Sequence, residues 1–124
     1  MKHLLLSVVI FIFFAFTTEL AVAEISGNDL LLKCRQGSST SAADVVAAAD
    51  AMYCAGYIVG SLDQLEDFQN RGGVHRICIP QKVTVGQEVD IIRNYLLSHP
   101  EIRQAMASRL IDVAFLAAFP CPHG

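Results

Sequence analysis

The sequence has no excess of positive charge and few charged residues of either sign. It contains 9 lysines and arginines against 12 aspartates and glutamates, and its formal net charge is −3 at neutral pH. A protein that binds nucleic acid or an anionic membrane surface presents a basic patch or stripe, whereas the arginines here are scattered. We therefore exclude nucleic acid and the membrane surface as main partners of this chain.

Motifs of common catalytic and cofactor sites are also missing. There is no Cys-x-x-Cys spacing, no phosphate-binding glycine loop follows a strand, and the one close Cys-His pair, Cys121 and His123, lies at the C-terminus. A thiol enzyme needs a free thiolate beside a base, whereas disulfide formation can account for all four cysteines of this chain. We predict no enzymatic activity, no cofactor and no metal.

The N-terminal apolar block, Leu4 to Phe16, is too short to anchor the chain in a membrane, which takes about 20 apolar residues. The block follows the basic Lys2 and precedes the small residues of Ala21-Val22-Ala23, the order of a cleaved secretory signal. We expect a signal peptide at residues 1–23 and a mature chain of residues 24–124 that forms a single domain in an oxidising compartment.

No alternating apolar run is long enough for a β-sheet, so we predict an all-α fold, a small disulfide-stapled bundle of about four helices. A first short helix follows the capping residues at 26–29 and ends near Cys34 or Arg35. A second, long helix covers residues 42–68 after the capping pair Ser41 and Asp44. We expect its buried face to comprise Val45, Ala49, Met52, Gly56, Val59 and Leu62, with Gly56 and Gly60 forming a flat strip for another helix.

The third and fourth helices are predicted as a hairpin around His99-Pro100. Thr84 and Gln87 form a capping box before the third helix, and Pro100 suits the first turn of the fourth, at residues 101–119. The expected inward residues are Val85, Val89, Ile92 and Leu96 in the third helix, and Ile102, Met106, Leu110, Val113 and Ala117 in the fourth.

The four cysteines predict two disulfides. An antiparallel hairpin brings Cys78, just before the third helix, close to Cys121, just after the fourth, and this leaves Cys34 to pair with Cys54. This is one of three possible connectivities. In the chain-entropy model each cross-link contributes about 3 to 4 kcal/mol, a large part of the stability of a small domain.

The segment at residues 66–76 loses the helical period and contains Gly72-Gly73, so we expect an exposed loop. Because loops often carry function, we take this segment as the candidate partner-binding site, and the alternative is that it only connects two helices. The candidate contact residues are Phe68, Gln69, Asn70, Arg71, His75 and Arg76.

Several blocks in order resemble a known family, over residues 30–122. The resemblance is to the Rap/Tai family of type VI secretion amidase immunity proteins. It is carried by Cys54-Ala55-Gly56-Tyr57-Ile58-Val59-Gly60, Cys78-Ile79-Pro80 with Val83, Thr84 and Gln87, Asn94-Tyr95-Leu96 with His99-Pro100-Glu101, and Ala118-Phe119-Pro120-Cys121-Pro122.

The resemblance implies a periplasmic all-helical protein, often dimeric, that binds an injected peptidoglycan amidase effector and blocks its catalytic cleft. The matching blocks are scaffold residues, so no effector-contact residue is transferred from the family. The alternative function is a general periplasmic helical chaperone of the HdeA type, which would have to open at low pH. Two cross-links would resist that opening, and the mature chain has no lysine-rich ends to keep clients soluble.

Overall fold

The computed structural model describes residues 24–36 and 45–122. The predicted signal peptide at residues 1–23, the capping pair Ser41 and Asp44, and His123 lie outside the described residues. The described chain contains four α-helices, which we label α1 to α4, and two short 3-10 helices. They are α1 Gly27–Lys33, a 3-10 helix Cys34–Gln36, α2 Val45–Asn70, α3 Val85–Ser98, a 3-10 helix Pro100–Ile102, and α4 Ala107–Ala118.

No strand occurs in residues 24–36 or 45–122, where β-pairing is limited to two isolated bridges, Ser26 with Met106 and Ile77 with Pro120. The predicted all-α bundle with two disulfides is therefore confirmed. Its core joins all four helices, and the largest fully buried side chains are Leu30, Ile58, Val89, Ile92, Leu96, Ile111 and Phe115.

Two helices begin with the capping boxes that their sequences contain. Ser26 caps α1: its hydroxyl accepts from the Asp29 amide at 3.3 Å, and its own amide donates to the Asp29 carboxylate at 3.0 Å. Thr84 and Gln87 form the same reciprocal pair at the start of α3. Each box satisfies amide donors that have no partner within the helix, so both starts are defined locally.

The predicted buried face of α2 is wrong except at Leu62. The buried residues are Ala51, Cys54, Ile58, Leu62 and Gln69, whereas Val45 is 83% exposed and Met52 is 71% exposed. A Cβ built on Gly56 or Gly60 would meet nothing within 4 Å, so the expected contact of another helix there is absent from the described chain. The first half of α2 is apolar on nearly every side, and hydrophobic spacing alone therefore does not select a face.

The disulfide between Cys34 and Cys54 identifies the inward face of α2. Its Cα atoms lie 5.2 Å apart, and the two cysteines are 0% and 1% exposed. A salt bridge of 2.7 Å from Lys33 to Asp50 joins the same two helices. By length and composition α2 could also cross a membrane. One face of α2 packs in the core, and Cys54 on that face is bonded to Cys34. We therefore interpret α2 as the central helix of the bundle.

The fourth helix begins later than predicted, at Ala107 rather than at residue 101. The start of α1 explains the difference: the Gly27 amide donates to the Ala105 carbonyl at 3.0 Å, and the Ala107 amide donates to the Ile25 carbonyl at 2.8 Å. These bonds use backbone groups that a continuous helix would need internally. The buried face of α4 is also rotated from the predicted one, and comprises Ala107, Leu110, Ile111, Ala114 and Phe115.

The turn between α3 and α4 holds the end of α3. The Arg103 guanidinium donates to the Leu96 and Leu97 carbonyls, which have no partner within the helix. The ring of His99 stacks on Tyr95 at 4.2 Å between centroids, and its Nδ1 lies 2.8 Å from the Tyr95 carbonyl. In α3 the predicted inward residues Val89, Ile92 and Leu96 are buried, whereas Val85 is half exposed.

Candidate partner-binding face

The end of α2 extends into the segment that the sequence predicts as a loop. The helix continues through Asn70, two residues beyond its predicted end at Phe68, so Gln69 and Asn70 are helical and not part of a loop. It ends because Gly72 adopts a positive φ of 96° and the Gly73 amide donates to the Phe68 carbonyl at 3.0 Å. These are the features of a Schellman motif, which satisfies the last carbonyls of a helix. The predicted loop is thus a turn and a short extended segment at residues 71–76.

A close contact between two residues supports this turn. Gly73 lies against Phe68: a Cβ at position 73 would overlap the Phe68 ring and lie 2.6 Å from the Phe68 carbonyl oxygen. Only glycine fits there without a shift of its neighbours. The Phe68 ring is consequently held beside the turn, although 60% of the residue remains exposed to solvent.

Gln69 holds the extended segment from inside and is only 8% exposed. Its Oε1 accepts from the backbone amides of Arg76 at 3.1 Å and Ile77 at 3.4 Å. This side chain is therefore unavailable to a partner. Among the six candidate contact residues, Gln69 is the one whose side chain supports the backbone of the segment.

The second disulfide closes the other side of the segment. Cys78 and Cys121 are bonded with Cα atoms 4.9 Å apart, and both pairings are those that the sequence analysis expects. Beside the bond, the Cys78 amide donates to the Phe119 carbonyl and the Cys121 amide donates to the Arg76 carbonyl, each at 2.9 Å. Residues 76–78 are thus attached to the chain that follows α4.

An open groove runs between the C-terminal half of α2 and α4, beside this segment. It consists of two adjoining depressions of about 450 and 380 Å³ that share Leu65, Phe68 and Asp112. We call it the α2–α4 groove. The first depression is further lined by Gln69, Val74, Arg76, Ile77, Val113 and Leu116, and the second by Ser61, Gln64, Met106, Ser108 and Arg109.

The walls of the α2–α4 groove are apolar and partly exposed. Val74 is 70% exposed and Val113 is 47% exposed, and both lie near the exposed Phe68 ring. Exposed apolar residues that cluster in a depression are typical of a protein-binding surface, unlike single exposed ones. The groove is therefore the strongest candidate for partner binding in the described structure.

One carboxylate lies in the part common to both depressions. Partial burial raises the pKa of Asp112 above its ordinary value. Within the residues that the structure describes, its carboxylate has no hydrogen bond and no ion pair. A cation brought by a partner would find an unpaired negative charge there.

A comparison with known protein families identifies the family of this chain. The sequence profile of the Rap1a immunity proteins matches residues 26–121, which include every described helix. The chain belongs to this family. No curated protein and no solved structure matches the chain.

In this Rap1a immunity protein the six candidate contact residues do not share one surface. Phe68 and Arg76 line the α2–α4 groove, whereas Asn70 and His75 line a third depression of about 530 Å³, which shares Leu65, Gln69 and Ile77 with the groove and extends towards the start of α3. Arg71 lines neither and forms a salt bridge of 3.0 Å with Asp67. The third depression is acidic: burial, and to a lesser degree the nearby Asp63, raise the pKa of Glu88.

Sequence reasoning missed the contribution of α4 to the groove. The sequence pattern predicts Val113 in the core and does not single out Asp112, because it places the buried face of α4 on a different side of the helix. A signal was present, since a charged Asp112 between Ile111 and Val113 must point away from the core of an apolar helix. The correct stripe of Leu110, Ile111, Ala114 and Phe115 leaves both Asp112 and Val113 on the outside.

Neither free thiols nor metal-binding clusters occur among the residues that the structure describes. All four cysteines are in disulfides. No group of three His, Cys, Asp or Glu side chains capable of holding a metal ion occurs in the described ranges.

Proposed function

We propose that this Rap1a immunity protein acts in the periplasm as a non-enzymatic inhibitor, binding a type VI secreted peptidoglycan amidase and occluding its active site. Family membership supports an immunity role and the binding of a cognate effector. Two disulfides support an oxidising compartment, as does the predicted signal peptide at residues 1–23. The amidase as the target remains our proposal, based on the resemblance described above.

The observation that carries the proposal is a turn that several contacts hold in place beside an apolar groove. The turn at residues 71–76 is held by the Gly73 contact, by Gln69 and by the Cys78–Cys121 bond. A segment that is already ordered loses little conformational entropy on binding, so most of its contact energy is available for affinity. We propose that the exposed residues Phe68, Asn70, Arg71, His75 and Arg76 contact the effector and that Gln69 supports them.

The direct test mixes the mature chain with any peptidoglycan amidase that the neighbouring genes encode and measures cleavage of purified peptidoglycan. We expect stoichiometric inhibition and a complex detectable by native mass spectrometry. Cleavage at the full rate with no complex formed would reject the proposed function. The same preparation tests export, because a mature mass that begins at Glu24 is expected from periplasmic material.

We further propose that the protein forms a homodimer through the outer face of α2. Met52 and the two open glycines Gly56 and Gly60 lie on this face, and glycines four residues apart permit close approach of two helices. We expect Met52→Lys to convert a dimer into a monomer in light scattering after size exclusion. Leu97→Lys, at a 55% exposed position of α3, is the matched control and should leave the mass unchanged.

A further inference from the structure

The charges along the α2–α4 groove alternate in a defined order. Arg109 lines only the second depression, Asp112 lines both, and Arg76 lines only the first. The order along the groove is therefore basic, acidic, basic, with apolar walls between the charges. In the part of the chain described by the structure, none of these three side chains has an ion pair, so their charges are available to a partner.

We propose that the α2–α4 groove receives an apolar segment of the effector that carries a basic side chain at its middle and acidic side chains at its two ends. This inference rests on the proposed function, because the effector is the partner that supplies the segment. The central base would pair with Asp112, and the terminal acids would pair with Arg76 and Arg109. The apolar positions between them would cover Leu65, Phe68 and Val113.

The dimensions of the groove set the length of this segment. Its α2 wall runs from Ser61 to Gln69, eight residues further along the helix, which at 1.5 Å per residue is about 12 Å. That length accommodates about two turns of helix or about four extended residues. Docking of such a segment between two helices is a common mode of peptide recognition.

The same charges disfavour a second copy of the chain as the occupant. A two-fold axis through the middle of the groove would place one Asp112 carboxylate opposite the other, because the same patch faces itself in a symmetric dimer. Two like charges that approach each other in a partly buried site repel, and both would lose solvent. The groove is thus complementary to a different protein.

The first experiment probes the groove without any effector. A blocked heptapeptide with acidic ends, a central lysine and leucines between them is titrated into the isotope-labelled mature protein and followed by NMR. We expect shifts of the Leu65, Phe68 and Val113 amides, with affinity at least about tenfold higher than for a peptide with basic ends and a central aspartate. Equal binding of the two peptides, or no shift at these amides, would overturn the proposal.

The second experiment uses the complete complex with the peptidoglycan amidase that the direct test of the proposed function identifies. Asp112→Lys should weaken the complex by about 100-fold or more, and Arg76→Glu and Arg109→Glu by about tenfold each. Asp112→Asn removes the charge with little change in shape, and it replaces the lysine variant in the test if that variant does not fold. The matched control is Asp90→Lys, at an exposed residue of α3 that lines none of the three depressions, and its affinity should stay within about twofold.

The outcomes separate this inference from the proposed function. If the unsubstituted chain binds no amidase while the peptide titration succeeds, the proposed function fails and the groove remains a binding site of the stated chemistry. If the complex forms and Asp112→Lys leaves its affinity unchanged, the effector docks elsewhere and the groove proposal is wrong. If Asp112→Lys changes only the mass of the free protein, a second copy occupies the groove and the proposal is likewise wrong.

Discussion

Replacing Gln69 by leucine tests whether one buried amide holds the proposed partner-binding segment in place. The side chain is almost fully buried, and its Oε1 accepts two backbone amides, from Arg76 at 3.1 Å and Ile77 at 3.4 Å. Leucine has a similar volume and remains compatible with a helix, so the substitution removes the acceptor without a large cavity. The expected effect therefore arises from the two amides that lose their acceptor.

The two amides do not contribute equally. Ile77 is 7% exposed, so its amide has little access to water, and leaving a buried donor unsatisfied costs about 1 to 3 kcal/mol. Arg76 is exposed and its amide can be hydrated, which limits its share to about 0.5 to 1 kcal/mol. We expect Gln69→Leu to lower the free energy of unfolding by about 2 to 3 kcal/mol. For a domain of this size, each 1 kcal/mol corresponds to a fall in Tm of about 4 to 8 °C.

Urea unfolding followed by circular dichroism measures this loss, and hydrogen exchange of the Ile77 amide reports the local effect. The amide should exchange faster in the variant, and the affinity for the effector should fall because residues 71–76 are no longer held. Gln64→Leu is the matched control at an exposed position of the same helix and should change the free energy of unfolding by less than about 0.5 kcal/mol. A Gln69→Leu variant as stable as the original chain, with unchanged Ile77 exchange, would refute the reasoning.

Three further predictions concern the turn, the cross-links and the groove. Gly73→Ala should destabilise the fold by about 1 to 3 kcal/mol, because the added methyl group would overlap Phe68. Gly60→Ala has nothing near its Cβ and should stabilise α2 by up to about 1 kcal/mol; thermal unfolding of both variants in dilute solution measures the two effects. Replacing Cys34 and Cys54 by alanine should lower the free energy of unfolding more than replacing Cys78 and Cys121. The chain-entropy contribution is about 3 kcal/mol for the first bond and about 4 kcal/mol for the second, but only the first pair also leaves a cavity in the core. The reverse order in urea unfolding would contradict this. Asp112→Asn should raise Tm at pH 7 and lose that advantage as the pH falls towards 3.8, because partial burial raises the folded-state pKa of Asp112 and protonation relieves the desolvation cost of its charge. A constant difference in Tm between pH 7 and pH 3 would argue against it.

The parts of the fold that the sequence predicts correctly depend on local chemistry. Ser26 with Asp29 and Thr84 with Gln87 define helix starts through hydrogen bonds between residues three apart, and such signals do not depend on the rest of the molecule. The α3 stripe of Val89, Ile92 and Leu96 is also found correctly, since polar residues surround it. The order of the helices and cysteines along the chain also predicts the two disulfide pairs that the structure contains.

The parts that the sequence does not predict depend on contacts between distant segments. The inward face of α2 follows from Cys54 and its bond to Cys34, because Val45, Ala49 and Met52 are as apolar as the residues that are buried. The late start of α4 follows from backbone bonds to residues 25–28, which hydrophobic spacing does not encode. The same limit applies to the groove, since its two walls come from residues about 45 positions apart in the chain.

The two disulfides have different consequences for function because they differ in position. The Cys34–Cys54 bond is in the core and determines how α2 is rotated, and therefore which of its residues, among them Leu65 and Phe68, face α4 across the groove. The Cys78–Cys121 bond lies near the surface and holds Arg76 and Ile77 against the chain after α4, at the end of the same groove. One cross-link thus orients a wall of the proposed binding site and the other positions its rim. A small domain can in this way present a preformed groove although only part of its surface is buried on folding.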